Sequence, residues 1–134
     1  MAEEKFDAQE VKLYWLTESE EALSVAEHLL EKGDYSYALF FGHLATEKIL
    51  KALYVISKGE HAPPIHNLVR LAKEAGLELD EHRMDAFIRI TAYNIEARYP
   101  DLKMAFRKKC TSEFTMKEMN TIKEIFVWIK SRLP

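Results

Sequence analysis

Residues 35–57 form the stretch that most constrains this chain, because wound into a helix they are apolar almost all round. Ala38, Phe41, Ala45, Ala52 and Ile56 make one side; Leu39, Gly42, Ile49 and Leu53 widen it, and Leu44 and Val55 widen it further. A helix that is greasy on more than one side must be covered on more than one side, so it is either the centre of a bundle or the seam of a dimer. Gly42 costs about 1 kcal/mol relative to alanine in a helix interior, and a close crossing by another helix would explain its presence.

The rest of the chain supplies covers for this rod. Val11, Trp15, Ala22, Ala26, Leu29 and Leu30 recur at helical spacing and predict a first helix over about 7–32. Gly33 then stands where a left-handed residue ends a helix, and Asp34 is suited to cap the next one, so the two helices form an antiparallel hairpin. After a loop ended by Pro63 and Pro64, residues 66–75 predict a short helix stopped by Gly76. Asp80 caps a helix over 81–96 with Met84, Ile88, Thr91 and Ile95 as its inward stripe and Phe87 beside it. Residues 98–114 show no strong period and read as a long functional loop, with Pro100 barring continuation of the helix before it. Thr115 and Glu118 have capping-box spacing, and Met119, Ile122, Phe126, Ile129 and Leu133 step by three and four through a last helix. No strand alternation or repeat intervenes, so the expectation is one all-α domain over 1–134, an up-and-down four- to five-helix bundle.

Composition closes off other classes. Hydrophobic residues at 48% and charged residues at 31% fit neither disorder nor a membrane protein, and no apolar run approaches the roughly 18 residues that cross a bilayer. Cys110 stands alone, which removes a disulfide framework and a cysteine zinc cage; with the polar start at Met1–Glu10, which lacks a secretory pattern, a cytoplasmic setting is expected. Residues 1–34 carry ten acids and three bases, whereas 83–134 carry six acids and eleven bases. That polarity can steer an anion toward the C-terminal half.

Three groupings carry candidate chemistry. His43, Glu47 and Lys51 lie at i, i+4 and i+8, flanked by Thr46 and Lys48; they form either a solvated edge or a ridge on a cleft where Lys48 or Lys51 meets a phosphate. Two ligand types without a third give no basis for a metal at His43 and Glu47, and no cofactor is expected. His61 and His66 flank the double proline; His66, opening a short helix, is the better acid–base candidate. In Arg98-Tyr99-Pro100-Asp101, Arg98 offers a planar fork for phosphate and Asp101 could orient it. Tyr93, Tyr99 and Phe106 interleave with Arg98, Lys103, Arg107, Lys108 and Lys109, the mixture of charge and rings that single-stranded RNA requires. Cys110 beside Lys108 and Lys109 could have a lowered pKa. Trp15 and Trp128 are expected in the core or an interface.

Ala45-Thr46-Glu47-Lys48-Ile49-Leu50-Lys51-Ala52-Leu53, then His66-Asn67-Leu68, then Ala97-Arg98-Tyr99-Pro100-Asp101, with Trp15 early in the first helix, together resemble the HEPN family of prokaryotic type over about Lys12 to Lys123. The resemblance implies a helical bundle that commonly forms a homodimer. It also implies a minimal nucleotidyltransferase as partner, often in a toxin–antitoxin pair, and in many members a metal-independent endoribonuclease with an Arg-x4–6-His motif. Here the histidine would fall at Lys103, Met104 or Ala105, and Arg70, Arg83, Arg89 and Arg107 also lack one at that spacing, so ribonuclease activity is doubtful on this count. The expected nucleotide- or anion-facing set is Lys48, Lys51, His66 and Arg98 with Glu47 and Asp101 orienting them, and Arg98 and His66 are the catalytic candidates. A purely structural homo-oligomer is the remaining alternative.

Overall fold

Asp7 accepts hydrogen bonds from the amides of Gln9 and Glu10, and that cap starts α1 (Ala8–Glu31). Gly33, at φ +81°, ends it: its amide bonds Leu30 O while the next amide, of Asp34, reaches back to Leu29 O. The chain reverses at once into α2 (Tyr35–Lys58). Asp34 was expected to cap α2, but its side chain makes no cap bond there. The tight reversal orders its backbone instead. In this computed structural model the described residues are 5–134, so the first part of the polar start at Met1–Glu10 lies outside them.

α3 (Leu68–Glu74), α4 (Glu81–Glu96), α5 (Pro100–Lys109) and α6 (Ser112–Ser131) complete an all-α bundle with no strand among the described residues. None of the described helices is long and apolar enough to cross a membrane. α2 packs against each of the other five helices. Leu39, Ala45, Ile49, Leu50, Ala52 and Val55 have no surface left exposed. The rod is therefore the bundle's centre, with Phe40, Phe41, Leu44 and Ile56 left partly exposed along it. Gly42 is where α6 crosses: a Cβ there would lie 2.7 Å from Ile122 Cδ1 and 3.5 Å from Met119 Sδ.

Three expectations change. α4 has the expected bounds and the expected Asp80 cap, but it turns Ala86, Phe87, Ile90, Tyr93 and Asn94 inward. Ile88 and Ile95 are 57% and 47% exposed. Both faces of this helix carry apolar residues at helical spacing, and the bulk of Phe87 and Tyr93 decides which is buried. Residues 98–114 are not a loop: Pro100 occupies the first position of α5, where its missing amide hydrogen is no loss. Phe106 is α5's only buried residue, so there was no apolar period to read. α6 begins three residues early, capped by Thr111, whose hydroxyl accepts from the Phe114 amide. Thr115 and Glu118 form no capping box; both lie inside α6 and are buried.

Candidate functional site

The polar ridge of α2 is not a solvated edge. His43, Thr46, Glu47 and Lys51 are all buried. Such burial is tolerable only if the groups satisfy one another. Thr46 returns its hydroxyl hydrogen to Gly42 O at 2.9 Å. Glu47 uses both oxygens: Oε2 takes Lys51 Nζ at 3.2 Å, and Oε1 takes His66 Nδ1 at 2.8 Å. Lys51 also lies 5.0 Å from the centre of the Trp15 ring on α1. Lys51 as a whole is only 8% exposed, and its ammonium pairs with Glu47 where an outward-facing one was expected.

His66 reaches Glu47 from the loop before α3. Asn67 caps α3 by accepting from the Arg70 amide, and the Leu68 amide donates to Thr91 Oγ1 at 3.1 Å, which fixes this loop against α4. His43 Nε2 lies 3.4 Å from His66 O and 3.8 Å from Glu47 Oε1. A carbonyl only accepts, so Nε2 carries the hydrogen and the buried Nδ1 of His43 is left without a partner. Burial drives the His43 pKa below its ordinary value; Glu47 and the His66 carbonyl oppose this, and Arg98 adds to the lowering.

Arg98 is held by its Nε–H donating to Asn94 O at 2.7 Å, with its guanidinium carbon 5.9 Å from the Phe40 ring. It forms no ion pair among the described residues. The arrangement is a buried carboxylate anchoring an imidazole through Nδ1, a side chain 62% exposed whose Nε2 is left to accept or donate; Arg98, held against Asn94 O and the Phe40 ring, keeps its outer nitrogens uncommitted. Chemically this can hold a phosphate and move a proton.

Two expected members lie elsewhere. Lys48 pairs with Glu18 of α1 at 3.8 Å. Asp101 does not orient Arg98; with Pro100 opening α5, it sits in that helix's first turn, where a carboxylate suits the helix dipole. Tyr93 and Phe106, expected as stacking rings, are core residues 5.3 Å apart. Tyr93 donates to Glu118 on α6, and Arg89 holds the same carboxylate at 2.9 and 3.3 Å. This trio, a buried tyrosine and acid held by a surface arginine, had no signal in sequence, since 25 residues separate the tyrosine from the acid. Burial pushes the Cys110 thiol up to about 11, outweighing Lys109, so it is no nucleophile. Trp128 is half-buried under Arg83, 3.8 Å from its ring. No group of three or more potential metal ligands occurs among the described residues.

A family model described as the HEPN domain matches residues 13–132. In fold the chain is similar to the crystal structure of TT1696 from Thermus thermophilus, with a TM-score of 0.77 and 24% identity over 91% of this chain and 98% of that one. No curated protein is significantly similar to the chain in sequence.

Proposed function

Since the chain belongs to the HEPN domain family, we propose that it is a binding module for the phosphate of a nucleotide or an RNA, with Arg98 and His66 facing the anion and Glu47 and Lys51 behind them. The observation that carries this reading is the 2.8 Å bond from His66 Nδ1 to the buried Glu47. It fixes the ring's orientation and tautomer, which leaves Nε2 for a phosphate that the Arg98 fork would share. A homodimer, a minimal nucleotidyltransferase partner and a toxin–antitoxin role in the cytoplasm belong to the same proposal. For a homodimer, the exposed Ile88 and Ile95 of α4 supply apolar surface.

Calorimetry with a panel of nucleotides tests the site. Weak binding without turnover is expected, reduced about ten- to hundredfold by Arg98→Ala, which removes a charged hydrogen-bond donor. Heat absent from both wild type and Arg98→Ala sinks the nucleotide reading.

The same geometry favours one second reading, metal-independent RNA cleavage. The imidazole missing after Arg98 would be supplied by His66, which moves the proton while Arg98 stabilises charge developing on the phosphate. Purified protein with a chelator should then cleave a structured RNA, and His66→Ala and Arg98→Ala should each abolish cleavage. Undiminished cleavage in both variants removes this mechanism.

A further inference from the structure

We propose that the outer face of α5, together with the Tyr37 ring of α2, is a binding surface for single-stranded RNA that leads a strand toward Arg98. Tyr37 stands in the first turn of α2 with 38% of its surface exposed. Lys103 Nζ lies 5.3 Å and Arg107 Cζ 5.9 Å from its ring centre, and Arg107 Nη2 is 3.5 Å from its hydroxyl. Toward one end of α5, Lys109 Nζ lies 5.4 Å from the Phe114 ring. Toward the other, Arg98 Cζ is 6.0 Å from the ring of Tyr99, which is exposed. Cations and rings thus alternate along a helix about 15 Å long.

These cations have no acidic partner among the described residues. Among the described residues none of Arg98, Lys103, Arg107, Lys108 or Lys109 joins an ion pair, whereas α1's Glu18, Glu20 and Glu27 pair with Lys48, Lys130 and Lys123. The acidic end of the chain is in part neutralised within the fold, and the basic surplus of the C-terminal end faces outward on α5. A row of cations suits any polyanion. Exposed rings set among them favour one whose bases can leave the stack, which is a single strand and neither a duplex nor an acidic protein. The inference rests on the phosphate-binding reading of Arg98 and His66 and narrows its ligand from a nucleotide to a strand.

Fluorescence polarisation with a labelled oligouridylate of about twelve nucleotides tests it, with uridine monophosphate measured separately. Tyr37→Ala should weaken the oligonucleotide about five- to hundredfold, the usual worth of one stacked base. The Lys103→Gln/Arg107→Gln pair should reduce the slope of log affinity against log salt by about 1.4. Both variants alter side chains outside the buried core, should keep the wild-type circular dichroism, and should bind the monophosphate as wild type does. The surface is refuted if wild type ignores the oligonucleotide, or if these variants bind it unchanged. It is equally refuted if a polyglutamate peptide binds as tightly with the same dependence on Tyr37, which would make it a protein-docking face. Monophosphate binding that fails while oligonucleotide binding depends on Tyr37 overturns the Arg98–His66 reading and leaves the α5 surface standing.

Discussion

Glu118 and His43 are buried ionisable groups whose environments make opposite demands. Burial alone would raise the Glu118 pKa, but the hydrogen bonds from Arg89 and Tyr93 outweigh it and hold the carboxyl below its ordinary value. The unfolded chain therefore takes up this proton first as pH falls. The stabilisation is complete above the ordinary carboxylate range and is lost as pH drops through Glu118's lowered value. His43 is held below its ordinary 6.5, so from that pH downward the unfolded chain binds a proton that the fold refuses until His43 itself titrates. Acid should thus weaken the protein in two stages, the first beginning near the histidine range. Glu118→Ala strands the Tyr93 hydroxyl in the core and should cost about 1–3 kcal/mol at neutral pH; the share owed to the ionised carboxylate is lost in strong acid, and the stranded hydroxyl's share remains. Urea unfolding of wild type and variant at several pH values measures both effects; a difference independent of pH would contradict the account.

Among the elements, the α2–α6 crossing gives the sharpest expectation. Gly42→Leu forces a branched side chain against Ile122 and Met119 and should destabilise by about 1–3 kcal/mol. Gly42→Ala should cost much less, because its single methyl meets the tip of the Ile122 side chain and alanine recovers about 1 kcal/mol of helix propensity. Thermal melts of the two variants decide it; equal losses would mean that the backbones, and not the Ile122 tip, set the spacing. The elements that were legible in the chain were those with strong ends or strong periods. Asp7 and Asp80 mark boundaries with side-chain carboxylates that accept from helix amides, Gly33 marks one by its left-handed backbone, and the stripe of α6 is unambiguous. α5 was not legible, because a helix that buries only Phe106 leaves no period, and the inward face of α4 was not, because two apolar faces compete. The site was half legible. Glu47, His66 and Arg98 could be named from their motifs. That Glu47 meets His66 depends on how the Pro63-Pro64 loop returns to α2, and that the ridge is buried depends on charges cancelling across elements. Local pattern encodes neither.

For the molecule as a whole, the decisive feature is that α2 contacts every other helix. No helix can be lifted away without baring part of the same rod, so partial opening uncovers apolar surface at every step. Native-state hydrogen exchange should then show the amides of Ile49, Leu50 and Leu53 exchanging only through complete unfolding, with one shared free energy that falls as denaturant is added, while those at the outer ends of α1 and α6 exchange by fraying. The bundle has a spindle in place of a stack of layers. Its evolutionary latitude follows: sequence can drift on any outer helix one at a time, but a change in the spindle is felt on all sides at once.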